Sequence, residues 1–220
     1  MEDTGESGMT WRYELWLFVA FDVALIASSI HAYDWFIWFL EVLPALIGVA
    51  VLVATRYRFR FTSLVYTLIL LHAIILMVGG HYTYAHVPVG DWVSNALHLG
   101  RNHYDRLGHF AQGFVPALIA REFFLRRSII RRGGWVTFLS IALCMGISAV
   151  YELFEYGVAV ASGTGADNFL GGQGDPWDTQ NDMLMCLIGS SLAMLTMRGL
   201  QDGAIAKLNA RTVKAIRRRG

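Results

Sequence analysis

The feature that most constrains this chain is a rhythm of long apolar runs, with an arginine or lysine cluster after every second one. Six runs can be read: Trp11 to His31, Trp35 to Thr55, Phe61 to Gly80, Tyr104 to Phe124, Trp135 to Tyr156 and Asp178 to Leu200. About 20 mainly apolar residues in helical form cross a hydrocarbon core of roughly 30 Å, and a helix satisfies its own backbone polar groups there. The pattern therefore predicts an all-α, polytopic transmembrane helical bundle of about six spans. Composition agrees, because 55% of the 220 residues are hydrophobic, only 16% are charged and mean hydropathy is +0.44. No length remains for a second soluble domain. The fourth run is the least apolar, opening on polar residues and carrying Arg121 and Glu122 near its far end.

The basic clusters fix an expected orientation. Arg56, Arg58 and Arg60 follow the second run, Arg126, Arg127, Arg131 and Arg132 the fourth, and Lys207 to Arg219 the sixth. Lys and Arg are retained on the cytoplasmic side, which predicts both termini inside. Residues 1–10 then form an acidic cytoplasmic N-terminus, 11–200 the six-helix membrane domain and 201–220 a basic cytoplasmic tail. The N-terminus lacks the positive n-region of a secretory signal, so the first run reads as a retained span. The stretch from His81 to His103 is too polar to cross, with room for an interfacial helix around Trp92 to Leu99. Cys144 and Cys186 each lie in an apolar run and read as buried small hydrophobes. The expected partner is the lipid bilayer, with no nucleic acid.

An ionisable residue near the hydrocarbon core costs about 2.5–3.5 kcal/mol on insertion scales, so the placement of each one is informative. Asp105 and His109 stand four apart at the outer end of the fourth run, on one helical face. Glu152 and Glu155 stand three apart in the fifth, and Asp178 and Asp182 four apart at the start of the sixth. Three helix ends would thus offer one imidazole and up to five carboxylates at a common depth. Oxygen and imidazole ligands at helical spacing suit one or two divalent cations. In this reading Asp105, His109, Asp178, Asp182 and His103 are candidate metal ligands, and Glu152, Glu155 and Arg106 candidate catalytic groups. The bland alternative is an ion cluster in which Arg101 and Arg106 tie the same acids together, Asp178 serving as a helix cap. His72, in mid-span, reads as a satisfied core histidine, and His81, His86 and His98 as loop hydrogen-bonding groups. Asp22 and Glu41 lie within spans, where helix–helix hydrogen bonding and an ion path are both open. The glycines Gly163, Gly165, Gly171, Gly172 and Gly174 permit turns or an anion contact, but no P-loop motif accompanies them.

The strings His81-Tyr82-Thr83-Tyr84-Ala85-His86-Val87-Pro88, Arg101 through Phe110, Tyr151-Glu152-Leu153-Phe154-Glu155 and Gly174 through Gln180 resemble the YjdF-like bacterial inner-membrane proteins. That resemblance implies a multi-pass protein of the bacterial plasma membrane and brings no assigned activity. A more distant likeness is to VanZ-like membrane proteins, whose motifs carry Asp-Lys-x-x-His-Phe, a Glu near a helix end, and an Asp followed four residues later by Asn. Asp105-Arg106-Leu107-Gly108-His109-Phe110 matches the first with Arg for Lys, Glu152 or Glu155 the second and Asp178 the third; Asp182 replaces Asn and makes the site more acidic. Three functions remain open at this stage. One is a metal-assisted enzyme acting on lipid-linked or glycan-envelope substrates at the outer leaflet. The others are a transporter or ion-binding protein, and a non-catalytic envelope scaffold.

Overall fold

The structure, a computed structural model, describes residues 4–162 and 172–217. Within them the chain forms eight α-helices: α1 (Thr4–Ser29), α2 (Trp35–Thr55), α3 (Ser63–Tyr82), α4 (Pro88–Leu97), α5 (Tyr104–Arg126), α6 (Gly134–Ser162), α7 (Asp178–Thr196) and α8 (Arg198–Arg217). A single 3-10 turn, Tyr84–His86, precedes α4, and the described residues contain no strand. Local chemistry sets several of these limits. Asp34 caps α2 by accepting from the amides of Phe36 and Ile37, and Thr62 caps α3 by accepting from Val65 N–H, each satisfying donors a helix start leaves orphaned. Pro88 opens α4, where its missing N–H costs nothing.

Helices α2, α3 and α6 are long and apolar enough to cross a membrane. Helices α7 and α8 qualify together as a fourth, bent by 62° at their junction. Helices α1 and α5 fall outside that group because of the charges they carry: Arg12, Glu14 and Asp22 on α1, and Asp105, Arg106, Arg121 and Glu122 on α5. The sixth run was expected to reach Leu200, whereas α7 stops at Thr196 and the chain turns into α8. The tail from Gln201 is helical, with Gln201 fully buried.

The centre of the bundle is α5, which packs on α3, α6 and most closely on α7. This enclosure explains how the least apolar run is tolerated: Asp105, Arg106, His109, Arg121 and Glu122 are all buried inside the protein rather than facing outward. Two glycines set the α5–α7 register. A Cβ on Gly113 would stand 2.0 Å from the Cys186 carbonyl oxygen, and one on Gly189 would stand 2.1 Å from that of Phe110. Small residues at such crossings let backbones approach closely. Cys144 and Cys186 are buried free thiols that fill the same seam.

One end of the bundle gathers the arginine loops. Arg127 Nη2 donates to the Arg58 carbonyl at 3.0 Å, Arg126 donates to the Arg60 carbonyl, and Arg121 pairs with Asp202 of α8 at 2.8 Å. At the opposite end Tyr33 N–H donates to the His81 carbonyl at 2.9 Å, and the starts of α5 and α7 meet.

Candidate functional site

Because Gly113 and Gly189 hold α5 and α7 together, the residues one and two turns toward their N-termini are brought side by side. Asp105, His109 and Asp182 each offer a ligand atom, and these atoms lie within 4.8 Å of one another, all three residues being buried. His109 Nε2 stands 3.5 Å from Asp105 Oδ1 and 3.8 Å from Asp182 Oδ1. Bonds of about 2.0–2.2 Å in a tetrahedral site separate ligand atoms by roughly 3.3–3.6 Å, so the spacing needs little adjustment. On the other side of the ring, His109 Nδ1 is 3.0 Å from Gln112 Oε1. A proton on Nδ1 donated there leaves the Nε2 lone pair facing the two aspartates, the arrangement that orients metal-bound imidazoles.

The remaining acids divide into two groups. Glu152 Oε1 lies 3.7 Å from His109 Nδ1, is buried and has no hydrogen-bond partner. Glu155, three residues on, faces a different space, the cavity that Glu41 and Tyr151 also line, where Tyr151 OH donates to Glu41 Oε2 at 3.3 Å. Asp178 is not a member of the close triad. It accepts from Arg101 at 2.9 Å and Arg106 at 2.8 Å. Arg106 also donates to Asp175 at 3.1 Å and is paired with Asp182. Arg101 Nη1 adds a hydrogen bond to the Gly172 carbonyl at 2.7 Å, tying the chain before α7 to the chain before α5.

Arg106, a candidate catalytic group by sequence, has its guanidinium taken up by Asp175, Asp178 and Asp182. Its direct role here is to hold the acids of α7 beside α5. His103 sits at the cap position of α5 without a side-chain capping bond and outside the close triad. Partial burial, then the neighbouring Arg101 and Arg106 guanidiniums, keep its imidazole below the ordinary value. Asp175, by contrast, is held below the usual carboxylate range by the Trp177 N–H, helped by Asn181 and the two arginines.

Charge does not balance in this group. Among the described residues, Arg101 and Arg106 are the only guanidiniums paired with Asp105, Asp175, Asp178 and Asp182, and Glu152 stands beside His109. Five acids against two guanidiniums leave three negative charges, or two if His109 is protonated. Like charges brought together in a poorly solvated site bind protons or a cation.

Several contributors were not singled out from sequence. Gln112 lies one helical turn beyond His109, at the spacing where a partner would be sought. Asp175, Tyr151, Tyr84 and Asn102 act through contacts between distant segments; Asn102, for example, donates to the Val87 carbonyl and Asp91. The bland reading holds for His81, whose Nδ1 is 2.9 Å from the Ser28 carbonyl. His86 lies against the Tyr33 ring. For His72 the expectation of a satisfied core group is corrected: its Nε2 is buried without a hydrogen-bond partner, because it faces a cavity instead of a neighbouring helix. Of the two in-span acids, Glu41 lines that cavity and Asp22 does not. Gly163, Gly165 and Gly171 lie outside the described residues.

The family described as predicted membrane protein (DUF2238) matches residues 13–203, which include every group named above. The chain belongs to this family. It is also 55% identical over 166 residues to the inner membrane protein YjdF of Escherichia coli (strain K12), covering 76% of this chain and 79% of that one. No solved structure matches it. The chain is therefore a multi-pass membrane protein, and what it does rests on the site.

Proposed function

We propose that this is a six-span plasma-membrane protein with both termini in the cytoplasm, whose Asp105–His109–Asp182 cluster binds a divalent cation at the extracytoplasmic face. Support for the topology comes from the two arginine-bearing loops and α8 meeting at one end, as positive-inside retention requires. The inner-membrane location is that of the Escherichia coli relative. The observation that carries the cation is the convergence of three buried ligand atoms in a group whose acids outnumber its guanidiniums. A bound cation would act as a Lewis acid toward a phosphate or carbonyl oxygen. Glu152, with an uncommitted oxygen beside His109, would be the base. Lipid-linked or envelope molecules at the outer leaflet are the substrates such a position can reach. The likeness of Asp105 through Phe110 to the VanZ-like pattern points to the same residues.

Elemental analysis of the purified protein, repeated on Asp105→Ala and His109→Ala, tests this reading. The parent should carry a divalent metal and both variants should lose it; a metal-free parent after loading with Mg, Mn and Zn salts would rule the reading out.

A second reading is favoured by one observation, the engagement of Arg106 by three acids. On it the group is a structural ion lock. Asp178→Asn would then lower thermal stability while leaving every cellular phenotype intact.

A further inference from the structure

Behind the acid–histidine cluster lies a cavity of about 260 Å³ between α2, α3, α5 and α6. Its lining is graded. At the outer end stand Glu41, Asp105, His109, Tyr151 and Glu155; farther in the walls are apolar, with Val49, Ile69, Val115 and Ile119. Glu41 and Val49 are eight residues apart on α2, so at 1.5 Å per residue the lined length there is about 12 Å. Such a space is amphipathic along its axis.

The cavity also opens sideways. Helix α2 packs closely on α3 and reaches α6 near its outer end, where Val158 packs on Ile37 and Leu40 and Tyr151 meets Glu41. Inward of that contact, two lining residues are themselves exposed, Pro44 on α2 and Ile147 on α6, the latter at 42%. In a bundle surrounded by hydrocarbon, a side opening between these residues faces acyl chains. No Lys or Arg lines the space, while three carboxylates (Glu41, Asp105 and Glu155), the His109 imidazole and the rings of Tyr84 and Tyr151 do. An anionic head would be repelled there. An ammonium would meet carboxyl groups that outnumber the single imidazole, and aromatic faces.

From these observations we infer that the α2–α6 crevice takes up one hydrocarbon chain of a membrane lipid with an ammonium head group, the head resting against Glu41 and Glu155. This goes beyond the cation site and does not depend on it; it names the class of molecule that could reach that site from the bilayer. The chain passes Pro44 and Ile147 and lies along Ala45, Gly48 and Ile119. His72 Nε2, the orphaned polar atom of the wall, is left for an ester or hydroxyl oxygen of the guest.

The test is photocrosslinking of the full chain in bilayers containing phosphatidylethanolamine or phosphatidylglycerol with a diazirine near the end of one acyl chain. Labelled peptides are mapped by mass spectrometry. Phosphatidylethanolamine should label Ala45, Gly48 or Ile119 at least several-fold more than phosphatidylglycerol, besides the outward Ile47 and Val51. Gly48→Phe fills the crevice, since a Cβ there meets nothing within 4 Å; it should abolish cavity labelling and leave labelling of Ile47 and Val51 unchanged. Glu41→Gln with Glu155→Gln should erase the preference between the two lipids. Labelling confined to Ile47 and Val51, or equal cavity labelling by both lipids in the parent, would overturn the proposal. The same experiment in EDTA separates the two ideas. Cavity labelling that survives in a protein found to bind no metal sinks only the cation site, and metal binding without cavity labelling sinks only the crevice.

Discussion

The two ends of α5 solve the same physical problem in opposite ways. At the C-terminal end, beside the arginine loops, fully buried Glu122 accepts from Thr62 N–H at 2.8 Å, Thr62 Oγ1 at 2.7 Å and Arg126 at 2.9 Å. Close by, Arg121 donates to Gln201 at 2.7 Å and Asp202 at 2.8 Å, and Gln201 in turn donates to the Leu118 carbonyl at 2.7 Å. There the cations Arg121, Arg126 and Arg132 outnumber the acids Glu122 and Asp202, so no carboxylate lacks a positive partner. At the N-terminal end of α5 the acids are in excess and Glu152 keeps a buried oxygen without a hydrogen bond. Arg121 Nε is likewise buried without a partner, so what separates the ends is the balance of charge: on the proposed reading, matched acids form a lock and unmatched acids a cation receptor.

The largest expected effect lies on the closed side. Glu122→Ala removes one partner from a buried, satisfied group, which costs about 3–5 kcal/mol. Thermal unfolding in detergent should show a large loss of stability, with the metal content of the surviving folded fraction unchanged. An effect no larger than that of Asp182→Asn would erase the contrast between the ends.

Gly113→Leu attacks the register that builds the outer site. Its side chain would meet the Cys186 carbonyl, already 2.0 Å from an ideal Cβ, and overpacking of this kind costs roughly 1–3 kcal/mol. Stability and cation binding should fall together, because Asp182 moves away from His109. Retained binding at parental affinity would mean that the α5–α7 contact does not position the site.

Asp182→Asn should divide the two properties. The amide keeps an oxygen for the buried bond from Arg106 and relieves repulsion among the acids, so the stability cost should stay below the roughly 3–5 kcal/mol of a lost buried partner, while cation affinity falls at least tenfold, about 1.4 kcal/mol. Gln112→Leu is a gentler probe: loss of the partner that fixes the His109 tautomer should weaken the cation by roughly 10–100-fold without removing a ligand.

How far sequence reached is best judged residue by residue. Hydropathy located α2 to the residue and α3 and α5 to within two residues, since lipid imposes length and apolarity on a span, whereas α1 begins at Thr4 rather than Trp11 and α6 runs on to Ser162 rather than Tyr156. The i, i+4 pair Asp105 and His109 was legible because one helix fixes both positions. Its counterpart Asp178 and Asp182 was only half legible: the two share a face, yet Asp178 goes to the arginines and Asp182 to the histidine. That division depends on the α5–α7 crossing, a contact between segments about 75 residues apart, such as Arg106 and Asp182. Glu152 and Glu155 part for the same reason, one toward α5 and the other toward α2. The bend at Met197, the orphaned His72 and the engagement of Arg106 are likewise tertiary outcomes.

The smallest effect concerns pH at the closed end. Burial alone would raise the Asp202 carboxyl, but hydrogen bonds from Arg121 and Arg132 outweigh it and hold the group below the 3.8 of a free aspartate. A depressed folded value stabilises the protein above the unfolded value, and the contribution disappears as pH falls through the folded one. Asp202→Asn should therefore lower Tm slightly at neutral pH and by nothing at strongly acidic pH. A deficit that persists unchanged in acid would show that the residue acts through packing alone.

The central claim, that the unmatched acids of α5 and α7 form a cation receptor, is met most directly by titrating the metal-free, full-length protein with Mn²⁺ and following free Mn²⁺ by electron paramagnetic resonance. The account predicts saturable binding that Asp182→Asn and His109→Ala weaken at least tenfold and Glu122→Gln leaves unchanged in whatever fraction stays folded. No saturable binding, or equal binding by the parent and the two outer-end variants, would contradict it.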